Sequence, residues 1–217
     1  MFGKSLIMGA AFSAAMAFGA SVSNAAVIDF TSASTGNSGV LAGGTTWSMT
    51  ASGYLNNSQA FDGNSKPAGS GLSFETDGYG VGLDDDEITT TPMRQEWIEV
   101  AFSAPTLINA FYFLDLFQAA NGSTLEIGQA TVDGSTTFSL VATDIAGSGA
   151  GGFVAAIFKP IYATVIRFTI LSSNDNLGYA DGALAGIGIA PVPVPAAGLL
   201  LMGGLGGLAA LRRRRKA

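Results

Sequence analysis

Residues 26–190 of this sequence predict an all-β fold, a single antiparallel β-sandwich with jelly-roll-like connectivity. Short apolar or alternating runs recur at intervals of roughly 8 to 12 residues, the strand spacing of a sandwich. Turn residues separate the runs, as at Asn121-Gly122, at Asp133-Gly134 and in the glycine tract 147–152, which is typical of a flexible hairpin. No run has helical periodicity. The segment is long enough for one domain with a core.

Two of these runs alternate with a period of two, as half-buried strands do. They occupy residues 96–102 and 163–171, and further short strands are expected at 107–117, 124–132, 136–143 and 153–158. The predicted inward-facing residues are Ile98, Val100, Phe102, Ile166, Phe168 and Ile170. An outer-membrane barrel is the alternative all-β fold, but several runs are shorter than a membrane-spanning strand.

Residues 1–25 have the organisation of a signal peptide. Lys4 supplies a positive start, residues 6–18 form a short apolar stretch, and Ser23 and Ala25 place small residues at the −3 and −1 positions. We expect signal peptidase to cleave after Ala25, with cleavage after Ala26 as the second choice. An N-terminal anchor helix that stays attached is the alternative.

The charge of the central segment limits its partners. All 16 acids lie between Asp29 and Asp181 with only four bases, which gives this span a formal charge of −12. Such a segment repels phosphate backbones, so nucleic acid is excluded as a partner, whereas association with cations is favoured.

The sequence has no cysteine and no histidine. Disulfides are therefore absent, and zinc loses its usual ligands. The commonest general base is also missing, together with every catalytic triad that contains histidine. We therefore expect a protein that is not an enzyme.

The C-terminal segment 191–217 combines three features. Residues 196–211 are uncharged and would extend about 24 Å as a helix, a thin span for a hydrocarbon core of about 30 Å. A basic cluster follows at Arg212, Arg213, Arg214, Arg215 and Lys216, and the positive-inside rule keeps it in the cytoplasm with the domain outside. Pro191, Pro193 and Pro195 precede the span and favour an extended peptide.

The stretch "VPVPAAGLLLMGGLGGLAALRRRRKA" resembles the PEP-CTERM sorting signal, in its VPLPA-CTERM variant, with Val194 in place of leucine. The resemblance implies processing by an exosortase after transient anchoring in the inner membrane, and then residence at the cell surface or in an exopolysaccharide or biofilm matrix. Val192 departs from the Pro-Glu-Pro form, which leaves the cognate enzyme open. An ordinary tail anchor is the alternative.

The densest acidic stretch is the candidate metal site. Asp84, Asp85, Asp86 and Glu87 are consecutive and are flanked by Asp77 and by glycines, and carboxylate oxygens on a loop suit calcium. The spacing is not that of an EF-hand. A solvated acidic loop is the alternative, and calcium is the only cofactor considered.

A second loop, at 172–182, contains Asp175, Tyr179 and Asp181. An aromatic ring beside polar groups on such a loop is able to contact sugar, although Asn and Asp are more often turn formers.

Two further pairs of residues bear on a possible catalytic or sugar-binding role. Asp115 and Glu126 are the carboxylates that a glycosidase would need, but any acidic β protein offers such pairs. Trp47 and Trp97 are expected in or near the core.

The sequence thus predicts an exported surface or matrix protein that an exosortase processes. The alternative is a carbohydrate-binding module with a calcium-supported loop site. An exposed aromatic side chain beside the acidic loops would favour the module.

Overall fold

The computed structural model describes residues 26–83, 86–172 and 180–191, and within these ranges the regular structure is entirely β. None of these residues belongs to a helix long and apolar enough to cross a membrane. The expected signal peptide and the tail beyond Pro191 lie outside the described residues. The strands are β1 Ala26–Asp29, β2 Ser38–Val40, β3 Thr46–Ala51, β4 Leu55–Asn56, β5 Gly80–Val81, β6 Thr90–Thr91, β7 Arg94–Gln95, β8 Ile98–Leu114, β9 Phe117–Gln118, β10 Glu126–Val132, β11 Thr136–Val141, β12 Asp144–Ile145, β13 Val154–Ser172 and β14 Ala183–Ile189.

Eight of the described strands form one antiparallel sheet in the order β1-β14-β8-β13-β10-β11, with the β2–β3 pair joined to β8. The first and last described strands are therefore neighbours, with Ala26 opposite Ile189. Three small pairs lie outside this sheet: β4 with β5, β6 with β7, and β9 with β12. The β9–β12 pair is parallel.

Two strands are much longer than the sequence predicts. The runs at 96–102 and 107–117 join into β8, of 17 residues, and those at 153–158 and 163–171 join into β13, of 19 residues. The prediction of four separate strands was wrong because the prolines between the runs do not end the strands. Pro160 lies within a register shift between Ile157 and Ile161, and Pro105 lies where β8 bulges opposite Ala163. Such irregularities are where strands tolerate proline.

The sheet folds back on itself around one core. Phe111 on β8 and Phe138 on β11 are three strands apart in the sheet order, which would separate them by about 14 Å in a flat sheet. Their ring centroids are only 5.4 Å apart. Phe158 and Phe168 on β13 also pack against Phe111, so β8, β13 and β11 together enclose a cluster of aromatic side chains.

The predicted inward face is confirmed. All six of its residues are at most 5% exposed, namely Ile98, Val100, Phe102, Ile166, Phe168 and Ile170. Trp47 is also in the core, where its ring meets Phe30 edge-on at 5.5 Å between centroids. Trp97 is half-buried, at the start of β8. The other face of this half of the sheet carries polar side chains towards solvent.

Candidate metal centre

Three carboxylates from distant parts of the chain meet at one end of the large sheet. Asp62, Asp77 and Asp115 each offer an oxygen, and these oxygens lie within 4.8 Å of one another. Asp62 is exposed, whereas Asp77 and Asp115 are buried. The cluster therefore has one side open to solvent and two ligands fixed in the protein interior.

Asp115 is placed by the end of β8 and by the glycine tract. It follows Leu114 with a left-handed backbone, at φ 56°. Its N–H donates to the Gly151 carbonyl at 3.2 Å, and the N–H of Leu116 donates to the Gly152 carbonyl at 3.1 Å. A Cβ on Gly152 would lie 2.8 Å from the Cα of Asp115, so only glycine allows this approach.

The same glycine tract supports Asp62. The N–H of Asn64 donates to the Gly149 carbonyl at 2.8 Å, and a Cβ on Gly63 would lie 3.0 Å from the Cα of Gly151. The tract 147–152 joins β12 to β13, which pair with β9 and β8 rather than with each other. The prediction of a simple hairpin was therefore wrong: this tract is the backbone support for two of the three carboxylates.

Asp77 contributes an oxygen whose hydrogen-bonding capacity is unmet. The residue is 7% exposed, and its Oδ1 is buried without a hydrogen-bond partner. Its own N–H donates to the Gln59 carbonyl at 3.4 Å, and Ala60 and Thr76 form an antiparallel bridge beside it. The backbone N–H of Asp62 also donates to its carboxylate. The side chain is thus held in place, while its Oδ1 has no hydrogen-bond partner among the described residues.

The cluster places several carboxyl groups close together, and their pKa values are raised. Burial, together with the charges of Asp62 and Asp86, raises the pKa of Asp77 to about 7. Burial raises the pKa of Asp115 to about 9, with Asp77 and Glu87 the largest of the charges that add to the effect. The charges that raise the pKa of these two groups are those of other carboxylates. A bound cation would reverse that balance and favour both ionised forms.

The donor set suits a hard divalent cation. Its three side-chain donors are carboxylate oxygens on three loops, which fits the flexible oxygen coordination of calcium better than the strict octahedron of magnesium. The open side at Asp62 leaves room for water or for a further ligand.

The acidic stretch that the sequence singled out lies beside this centre. Asp86 is 3% exposed, and its Oδ2 accepts from the N–H of Gln59 at 3.2 Å. Asp86 and Glu87 act on the cluster through their charge. Asp84 and Asp85 lie outside the described residues. Of the three clustered carboxylates, Asp77 was predicted only as a residue that flanks the acidic stretch, and Asp62 was not predicted.

The carboxyl groups that act on Asp115 are not those that act on Glu126. The Oε2 of Glu126 accepts from the N–H of Phe117 at 2.7 Å. Burial raises the pKa of Glu126 to about 8, and a hydrogen bond with Asp181 adds to the increase. Asp115 and Glu126 therefore belong to different groups of carboxyls. Asp175 and Tyr179 lie outside the described residues.

An exposed aromatic side chain does lie beside the acidic stretch. Tyr54 is 63% exposed, and its carbonyl accepts from the N–H of Gly82 at 2.8 Å. This is the feature that the sequence analysis associated with a carbohydrate-binding module.

No family model matches this chain, and no curated protein matches it. Two solved structures resemble it at a distance. The module CpGH89CBM32-5 from Clostridium perfringens, solved with GalNAc-β-1,3-galactose, is 14% identical with a TM-score of 0.30, over 64% of this chain and 94% of that one. Chitosan-binding module 1 of a chitosanase/glucanase from Paenibacillus sp. IK-5 is 16% identical with a TM-score of 0.26, over 65% and 89%. At such TM-scores neither likeness carries a ligand over to this chain.

Proposed function

We propose that this chain is an exported bacterial surface protein that binds calcium through Asp62, Asp77 and Asp115 and attaches to extracellular polysaccharide. The observation that carries the calcium site is the buried Oδ1 of Asp77, which has no hydrogen-bond partner and lies among carboxylates. An unsatisfied buried carboxylate oxygen is costly, and a cation shared with Asp115 removes that cost.

Export and calcium binding support each other. The signal-peptide pattern at 1–25 directs the domain out of the cytoplasm, to a compartment where calcium is abundant enough to fill weak extracellular sites, with Kd values of about 10⁻⁴ to 10⁻³ M. In this proposal the segment 191–217 anchors the chain as a transmembrane helix until an exosortase processes it. The pairing of the first strand with the last supports jelly-roll-like connectivity of the sandwich.

Polysaccharide attachment is the binding function within this proposal, without catalysis. The exposed Tyr54 beside the acidic stretch supports it. Asp115 and Glu126 interact with different carboxyl groups, whereas a glycosidase needs its two carboxyls on either side of one bond.

The calcium site is tested by thermal unfolding of the full chain recovered after export. Millimolar calcium should raise the Tm, because a ligand that binds only the folded state stabilises it, by about 1.4 kcal/mol at ten times Kd. Asp77→Asn and Asp62→Asn should each abolish most of this response. Asp62 is exposed, so its substitution removes a ligand without disturbing the core.

Asp144→Asn is the matched control, since it removes one carboxylate outside the cluster and should respond to calcium like the unmodified chain. A Tm that does not change with calcium would refute the site, as would an unchanged response in Asp62→Asn and Asp77→Asn. The pair Asp85→Asn and Asp86→Asn shows whether the adjacent acidic stretch adds to the affinity.

A further inference from the structure

A cleft of about 400 Å³ lies on the solvent-facing side of the large sheet, away from the metal centre. We call it the outer-face cleft. It is formed where β8, β13 and β10 run side by side, and six of its eight lining residues have polar side chains. The polar side chains that line it are Gln95, Glu99, Gln129, Thr131, Arg167 and Thr169.

A continuous row of polar side chains crosses the sheet through this cleft. The pairing register places Thr50, Glu99, Arg167, Thr131 and Thr137 opposite one another on β3, β8, β13, β10 and β11. At about 4.8 Å between strands, the row is about 19 Å long. Its length suits an extended chain lying across the strands rather than a single small molecule.

The centre of the row is rigid. Nε and Nη2 of Arg167 donate to Oε2 of Glu99 at 3.2 and 2.9 Å. The guanidinium also lies over the ring of Trp97, 4.5 Å from its centroid. A guanidinium fixed by a carboxylate and an indole loses little further freedom when a ligand binds.

Several hydrogen-bonding groups in the outer-face cleft are available to a ligand. The side-chain amides of Gln95 and Gln129 have no hydrogen bond with any described residue, and the pairing of Arg167 with Glu99 uses only one carboxylate oxygen, Oε2. Donors and acceptors thus alternate along one surface, which is the arrangement that sugar hydroxyls match, because each hydroxyl both donates and accepts.

The charge of the outer-face cleft indicates which kind of polymer it binds. Glu99 and Arg167 are the only charged residues in the lining, and they neutralise each other. The whole span 29–181 carries a formal charge of −12, which repels polyanions. Val165 is the only apolar side chain of the lining, so a protein partner would find little to bury.

We propose that the outer-face cleft binds a neutral polysaccharide, which lies across β8, β13 and β10 with Arg167 and Gln129 as its main contacts. This inference rests on the proposed function only in taking polysaccharide as the partner. It assigns binding to the sheet face rather than to the acidic end of the sheet, where Tyr54 is exposed.

The test is affinity electrophoresis of the calcium-saturated full chain in native gels that contain dextran, galactomannan, xyloglucan or a mixed-linkage β-glucan, with alginate as the polyanion. At least one neutral polymer should retard the chain, and alginate should not. Arg167→Gln and Gln129→Ala should each weaken the retardation about tenfold or more, since each leaves ligand hydroxyls unpaired.

Lys159→Gln is the matched control for Arg167→Gln, because it makes the same charge change at an exposed position on the same strand and should leave retardation unchanged. The calcium-induced rise in Tm should also be unchanged in Arg167→Gln and Gln129→Ala, which shows that both variants fold and separates this inference from the calcium site. Retardation by none of the neutral polymers, or by alginate alone, would overturn the inference. So would retardation that survives both cleft substitutions but is lost in Tyr54→Ala.

Discussion

At the scale of single residues, the protein has two separate groups of carboxyls that resist ionisation. Asp77 and Asp115 belong to the metal centre, where calcium would make ionisation favourable. Glu126 has no such role, and its neighbour Asp181 is another carboxyl. The two groups are therefore expected to respond differently to calcium and to pH.

Glu126 predicts a loss of stability at alkaline pH that calcium does not prevent. Its pKa rises from 4.5 in the unfolded chain to about 8 in the folded one. The folded state thus holds this proton more tightly, so the stabilisation is complete below about pH 4.5 and is lost as pH rises through about 8. The slope is at most about 1.4 kcal/mol per pH unit. Urea unfolding of the calcium-saturated chain across this range measures it.

Glu126→Gln should flatten this loss, because the amide stays neutral and still accepts from Phe117. Asp144→Asn, outside both carboxyl groups, should keep it. An identical pH dependence in the Glu126→Gln variant and in the unmodified chain would contradict the assignment.

At the scale of elements, the metal centre depends on backbone geometry as much as on acids. The glycine tract 147–152 passes close to the end of β8, and its carbonyls accept the N–H groups that fix Asp115 and Leu116. A side chain at Gly152 would overlap that backbone. The tract therefore links the end of β8 to the proposed calcium site.

Gly152→Ala should weaken calcium binding and lower stability together. Its φ of 58° alone costs an alanine about 1 to 2 kcal/mol, and the contact with Asp115 adds to this. Isothermal titration and urea unfolding measure the two effects. Gly122→Ala is the control, because its φ is 68° but nothing lies within 4 Å of the added Cβ. It should lose stability without losing affinity, and equal affinities in the two variants would contradict the coupling.

Local patterns in the sequence were enough to predict the strands but not their continuity. The alternation at Ile98, Val100 and Phe102 is a property of neighbouring residues, and so is the Asp133-Gly134 turn that joins β10 to β11. Whether β8 continues through Pro105 depends on its pairing with β13, which resumes on both sides of the bulge that contains this proline. The pairing of β8 with β13 joins residues that are far apart in sequence, so a local pattern does not predict it.

The sequence predicted the type of metal site but not the residues that form it. The surplus of acidic residues indicated a hard cation as ligand. The stretch 84–87 indicated a part of the chain that lies close to the candidate site. The meeting of Asp62, Asp77 and Asp115 depends on contacts between segments as much as 53 residues apart in sequence. Asp115 in particular follows an apolar strand, where a lone acid resembles an ordinary turn residue. Only its left-handed backbone and its glycine neighbours distinguish it.

At the scale of the whole molecule, the domain and the C-terminal segment have opposite charges, and we expect them to have separate tasks. We expect Pro193→Ala with Pro195→Ala to leave the apolar span and the arginines intact, so that insertion and orientation survive. The extended peptide before the membrane would be free to become helical, and recognition by the processing enzyme would fail.

The expected result is a full-length, membrane-bound precursor with its domain outside, and loss of the released or matrix-bound form. Cell fractionation followed by intact-mass measurement distinguishes the two. A surface form of normal mass and abundance in the double variant would show that the prolines are only a spacer and would favour an ordinary tail anchor.

The position of β14 has a mechanical consequence. This strand leads directly to Pro191, and it is held on one side by β1 and on the other by β8. Tension transmitted from a tethered C-terminal segment enters along the axis of β14, so the hydrogen bonds on both sides bear it together in shear instead of parting one at a time. A domain that grips a polymer on its sheet face and is restrained through this strand would hold against fluid drag that would peel away an edge strand.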